Sequence, residues 1–338
     1  MRSLELTIDK DFLKAFTEVP SIGTACAPAI RLLQERFGND YTATYVPDGV
    51  CLFQRRGAGP GALKAVFVAH ADEIGGCVYG LDTSAQHIEA IDASSTDVFA
   101  SRCWGNRPQI FADAELQAFD YLSKDGTNTF PIKGYVSSSN GEERLIVAAA
   151  SSRILPYRTA FTFRTETTFS GDTVSGKALD PRVTAFAVCE AVRRLDTPEV
   201  GAMIVMAEEC AMDVARKGVH FLQQNAPRLE LIVNADVPWI ENIGEGRLDL
   251  PAIRIFEGRN FIDPSFGIRT AETLMNKGVK LHLSAARSGS QTLLFTPLAP
   301  TLSVALPSDG IHEPKYHMSL TGTERCIELL VAIGEMSD

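Results

Sequence analysis

No apolar run in this 338-residue chain approaches the roughly 20 residues that a membrane-spanning helix requires. Low-complexity tracts are missing as well, and there is no surplus of basic residues, since 32 Lys and Arg face 42 Asp and Glu for a formal charge of -10. That balance opposes a general affinity for nucleic acid or an anionic membrane, because counterion release depends on clustered cations. CxxC pairs are also lacking. The seven cysteines (26, 51, 77, 103, 189, 210 and 326) are odd in number and scattered, which fits reduced, mostly buried thiols and a cytoplasmic location rather than a disulfide framework. The stretch MRSLELTIDKDFLKAF has charges throughout it and neither the uninterrupted apolar core nor the small-residue cleavage site of a signal peptide, so none is expected.

What is present describes a globular protein, with 45% hydrophobic and 22% charged residues. Helical spacing is expected over 8–18 and 26–37, and two short strands near 42–55. The nearly continuous apolar segment LKAVFVAH then reads as a strand of a sheet covered on both faces. After about residue 80 the texture becomes β-rich and turn-rich, with SKDGTN (123–128) and SSSNGEER (137–144) as turn signals. From residue 169 onward strands and helices alternate again. Helices are expected over 182–195, 212–223, 265–277 and 321–336, the last with Thr321 and Glu324 as a capping box. The pattern predicts an α/β fold with a doubly wound, mostly parallel sheet, formed by residues 1–74 and 169–338 and interrupted by a β-rich domain at 75–168.

Chemistry concentrates at the carboxyl ends of the predicted strands, where ligands of open α/β sheets gather. His70 and Asp72 follow AVFVA, Glu208 and Glu209 follow AMIVMA, Asp236 follows LIVNA, and His312 follows TLSVALPSDG. A His-x-Asp strand end places both side chains on one face, so Asp72 can orient the His70 imidazole. Two adjacent carboxylates at an apolar strand end are costly without cations, and one of Glu208 and Glu209 can bind metal while the other serves as a general base. Asp180, in ALDPR, competes with a simpler role as a helix N-cap before Pro181, but it is also the natural carboxylate to bridge two ions. Asp236 competes with a turn role before Pro238, and His312 competes with His317. The mixed nitrogen and oxygen donor set suits zinc, cobalt or manganese better than calcium or magnesium.

The motifs HADEIG, GKALDPR, AEE, NAD and IHEP, in that order, resemble those of the co-catalytic dinuclear aminopeptidases, the family of glutamyl, deblocking and tetrahedral aminopeptidases in which some members are labelled endoglucanase. The resemblance implies a zinc-peptidase-like fold with an inserted β domain. It implies two divalent ions per chain, one held by His70, Asp180 and Asp236 and the other by Asp180, Glu209 and His312, with zinc or cobalt favoured over manganese. Glu208 would be the general base and Asp72 the residue orienting His70. It further implies peptide substrates cleaved at a free amino terminus, and a homo-oligomer between a dimer and a dodecamer. Three departures mark a divergent branch: Pro181 replaces a second Asp, Cys210-Ala211-Met212 replaces Val-Gly-Leu, and SGSQT (288–292) replaces Gly-Gly-Thr-Asp. Arg182, Arg287 and Lys315 are cations that can approach the pocket or remain surface charges. The alternatives are an amide hydrolase or deacylase of the same architecture, a glycan hydrolase, and a non-catalytic assembly protein.

Overall fold

The computed structural model describes residues 8–47, 49–81, 97–112, 114–123, 128–139, 142–149, 153–243, 246–258, 260–286 and 288–336. Part of the SKDGTN turn and Arg287 therefore lie outside the described residues.

A nine-stranded mixed sheet organises the chain. Its order is Tyr41–Val46, Val50–Arg55, Val200–Val205, Ala65–His70, Leu231–Asp236, Thr301–Ala305, Ala252–Glu257 and Asn260–Phe261, with His282–Ala286 also paired to Ala252–Glu257. The four central strands from Val200 to Ala305 in that order are parallel, and antiparallel pairs flank them. Both faces are covered, which explains the continuous apolar run of Ala65–His70. Ala65, Phe67 and Ala69 pack into one core with helices Lys10–Glu18, Ala27–Phe37, Leu179–Leu195 and Leu320–Gly334, whereas Val66 and Val68 face the opposite core with helix Ala215–Asn225. The latter helix lies close to the sheet at Gly218, where a β-carbon would stand 2.8 Å from Met203 Sδ.

Between Gly76 and Phe163 six strands close into an antiparallel barrel, in the order Gly76–Leu81, Asp97–Cys103, Glu142–Ala149, Phe130–Ser139, Glu115–Asp120 and Thr159–Phe163. It has its own core, in which Phe111 stacks on Phe163 at 4.9 Å and meets Phe161 edge-on at 5.9 Å. The joint between barrel and sheet needs glycine. A β-carbon on Gly75 would fall 2.3 Å from the Phe161 carbonyl oxygen, and one on Gly76 2.4 Å from that of Arg102. The Gly-Gly pair after HADEI thus brings the barrel wall against the end of the His70 strand.

Two local expectations are corrected. The helix expected at 212–223 is split into a short helix Glu208–Ala211, a 3-10 turn Met212–Val214 and a helix Ala215–Asn225. The final helix is not closed by a Thr321/Glu324 box. Ser319 is its N-cap, its hydroxyl accepting from Gly322 N at 2.9 Å, while Thr321 is drawn away to Asp172. Among the described residues no helix is long and apolar enough to cross a membrane.

Candidate metal centre

The carboxyl ends of three parallel strands deliver His70, the Glu208–Glu209 turn and Asp236 to one place. His70 ends its strand with only 2% of its side chain exposed, and its Nε2 faces Asp180 Oδ1 at 3.5 Å, Asp236 Oδ1 at 3.6 Å and Glu208 Oε2 at 3.9 Å. His312 Nε2 faces the other Asp180 oxygen, Oδ2, at 3.4 Å and Glu209 Oε1 at 3.0 Å. Asp180 therefore stands between two imidazoles, one for each carboxylate oxygen. Its Oδ1 is buried and lacks a hydrogen-bond partner among the described residues.

The backbone explains how Asp180 reaches that position. Residues 180 and 181 depart from helical φ/ψ at the start of Leu179–Leu195, and the Asp180–Pro181 peptide is cis. The Asp180 carboxylate faces the two imidazoles and makes no capping contact with its own helix. Its amide donates to the buried Tyr316 hydroxyl at 2.6 Å. His312 has φ +60°, a left-handed conformation that side chains other than glycine seldom adopt and that concentrates at functional positions. His317 points elsewhere, its Nδ1 2.6 Å from Ser175 Oγ.

Asp72 lies behind this cluster and is fully buried. Its Oδ1 is 3.2 Å from His70 Nδ1 and accepts from Glu208 N at 2.8 Å, while Oδ2 accepts from Glu209 N at 3.1 Å. The short Glu208–Ala211 helix has no capping side chain of its own. Asp72 satisfies its first amides from another segment, fixing the imidazole and the two glutamates with one carboxylate.

The bare cluster crowds carboxylates and imidazoles whose charges burial disfavours. Burial raises Glu208 well above the ordinary carboxyl range despite attraction from His70, with Asp236 and Glu209 adding repulsion. Burial likewise pushes Glu209 up to about 7, moderated by His312. Burial alone would lower both imidazoles, yet Glu208, Asp180, Asp236 and Asp72 raise His70 well above its usual range, and Glu209 and Asp180 lift His312 to about 10. Asp236 is held at about 2 against its burial, by His70 and then Arg254. Without other cations the site keeps protons on its imidazoles to balance the carboxylates. One ligand atom from each of His70, Asp180 and Glu209 lies within 4.8 Å of the others. Close carboxylates, imidazoles on both sides of Asp180 and an orphaned buried carboxylate oxygen all fit divalent metal.

Several residues that support the site were not assigned a role from sequence. Trp104, from the barrel side, donates Nε1–H to the Glu209 carbonyl at 2.6 Å and packs its ring 4.4 Å from that of His312. Glu73 and Lys177 form a buried ion pair at 2.7 and 2.8 Å beneath the cluster. Both sit inside motifs already noted, HADEIG and GKALDPR, but no local signal shows that they meet. Arg254, buried, places Nη2 2.6 Å from Glu257 and 3.5 Å from Asp236. Arg182 is neither a substrate-facing nor a surface charge. It is fully buried and donates to the carbonyls of Ala71, Phe16 and Val19 and to Ser21 Oγ, tying the loop after His70 to the first helix. Lys315 is exposed.

No protein-family model matches this chain, and no curated protein matches it by sequence. Solved structures do match its fold over nearly the whole length. The TET1 peptidase of Pyrococcus horikoshii, described as assembling into a tetrahedron or a large octahedral shell, superposes with a TM-score of 0.74 at 17% identity, covering 96% of this chain and 98% of that one. A TET aminopeptidase from a marine sediment archaeon of the Thaumarchaeota gives a TM-score of 0.77 at 14% identity, covering 96% of both chains. A Thermotoga maritima protein called endoglucanase gives 0.67 at 14% identity, covering 96% of this chain and 98% of that one. The fold is that of the tetrahedral aminopeptidases and their relatives. It is the same group that the five sequence motifs resemble.

Proposed function

We propose that this chain is a metal-dependent aminopeptidase with a dinuclear centre, in which His70, Asp180 and Asp236 hold one ion and Asp180, Glu209 and His312 the other. The observation that carries this reading is the position of Asp180, with one oxygen toward each imidazole and Asp236 and Glu209 completing the two sets. Zinc or cobalt suits these donors best, with manganese next. Bound metal supplies Lewis acidity toward a substrate carbonyl and a water of lowered pKa.

The chain's own residues do the rest. Glu208 is left free of either ligand set, with its carboxylate 3.9 Å from His70 Nε2 and its side chain 11% exposed, placed to accept a proton from the attacking water and return it to the leaving amine. Asp72 holds His70 and the backbone of Glu208 and Glu209 in register, so that base and ligands cannot move independently.

We take residues 1–74 and 169–338 as the catalytic domain and 75–168 as an inserted domain used in self-association or substrate access, the protein acting as a cytoplasmic homo-oligomer. The assemblies described for structural neighbours support the self-association. The test is metal content together with hydrolysis of aminoacyl anilides in the presence of zinc, cobalt or manganese. Two ions per chain are expected, and Glu208→Gln is expected to keep both while kcat falls roughly 10²- to 10⁴-fold, the range for loss of a general base. Protein that binds no metal and cleaves no substrate with any of the three would refute the proposal.

A further inference from the structure

A cavity of about 340 Å³ opens beside the cluster on its Glu209 side. The space against His312 and Tyr316 is far smaller, about 10 Å³. The larger cavity shares Glu209 with the metal centre. Trp104 is on its wall and fastens to the Glu209 carbonyl, Cys77 and Cys103 also line it, and Ile22 and Ala160 add apolar surface. It stands near the small end of the roughly 300–1,000 Å³ range of ligand pockets, enough for one side chain with some water.

Charge inside the cavity is already committed. Both oxygens of Glu73 are held by Lys177 Nζ, with Thr162 Oγ1 and Ser21 N adding donors, so no carboxylate is left there to pair with a basic substrate group. Glu209 faces His312. Arg102, the cation among the lining residues, is exposed. Burial raises the thiols of Cys77 and Cys103, which stay protonated near neutral pH and behave as apolar surface. With its carboxylates already paired and its one lining cation turned to solvent, the cavity offers a charged side chain of either sign a loss of water without a committed partner inside.

We propose that this cavity receives the side chain of the substrate's amino-terminal residue and selects uncharged, apolar side chains of leucine or methionine size over alanine, glutamate and lysine. The inference rests on the aminopeptidase reading, since in such an enzyme a single residue precedes the bond to be cut and one pocket beside the metals is all it needs. Each methylene accommodated in an apolar pocket changes kcat/KM by roughly 10-fold or more, and leucine carries three carbons more than alanine, so leucine is expected to exceed alanine by about 1,000-fold.

The experiment uses the metal-loaded full chain with aminoacyl-coumarin substrates bearing Leu, Met, Ala, Glu or Lys, alongside calorimetric binding of free L-leucine, L-methionine, L-glutamate and L-lysine. Cys77→Phe, which fills the cavity, is expected to lower the leucine-to-alanine ratio at least about tenfold, and the milder Cys77→Met to lower it by less. Preference for Glu or Lys, or an unchanged ratio in both variants, overturns the pocket assignment while leaving the peptidase reading intact. If nothing is cleaved but leucine binds more tightly than glutamate and lysine, and Cys77→Phe weakens it, the pocket stands and the peptidase reading fails. Absence of both cleavage and selective binding overturns both.

Discussion

Replacing Lys177 by Met isolates the physics of the buried ion pair next to the candidate metal centre. Lys177 is fully buried, and its Nζ reaches both oxygens of Glu73, which is 3% exposed. Removing the amine leaves a buried carboxylate whose remaining donors are Thr162 Oγ1 at 2.7 Å and Ser21 N at 3.2 Å, with the Arg182 guanidinium 3.9 Å away. Breaking such a pair from one side costs about 3–5 kcal/mol. The pair itself is not a net source of stability by the same measure. Desolvation lowers the Lys177 pKa despite the attraction of Glu73, so the burial of the charge outweighs its compensation. The double variant Lys177→Met with Glu73→Leu should therefore recover all but about 1–2 kcal/mol of the single loss, since a well-packed apolar pair of similar volume is often neutral. Urea denaturation at fixed protein concentration and with chelator present measures both variants against the parent, which removes stabilisation by bound metal from the comparison. A single variant within about 1 kcal/mol of the parent, or a double variant worse than the single, would refute the reasoning.

Other outcomes follow from the site. Metal loading near pH 7 should release protons, because the metal-free protein holds His312 at about 10 and His70 well above its usual range; affinity should rise with pH as these protons leave, and calorimetry in buffers of different ionisation enthalpy reads the count. The sign for stability without metal is that His312, whose folded pKa lies above its unfolded value of 6.5, contributes fully below about 6.5 and loses that contribution as pH rises toward 10, observable as a falling Tm in chelator. Asp72→Asn should weaken metal binding about 10- to 100-fold, measured by competition with a chromophoric chelator, since it loosens His70 and both glutamates together. Ser319→Ala should cost about 1 kcal/mol in denaturant, whereas Thr321→Ala should leave the helix cap itself intact because Ser319 supplies it.

Sequence alone determined the parts of this protein that depend on local pattern. Apolar runs that face two cores, as in LKAVFVAH, identify sheet strands whose two faces are both covered, and the chemistry-bearing residues at their carboxyl ends could be named in order: His70, Asp72, Glu208, Glu209 and Asp236. Even the β-rich texture after residue 80 was legible, because period-two patterning and turn residues act over a few positions. Tertiary structure decided what depends on convergence. Whether Asp180 capped its helix or faced two imidazoles could not be read from ALDPR, since both uses place a carboxylate before Pro181; only the arrival of His70 and His312 on either side distinguishes them. The resemblance already favoured His312 over His317, and the structure gives the reason: His312 faces Asp180 and Glu209, whereas His317 lies in the strand Tyr316–Ser319 and turns to Ser175. Trp104 and the Glu73–Lys177 pair carry no local signal, because their partners lie 105 and 104 residues away, and Arg254, which pairs locally with Glu257, reaches Asp236 only through the fold. Their roles come from solvent exclusion, which makes an unpaired charge costly wherever the chain happens to bury it.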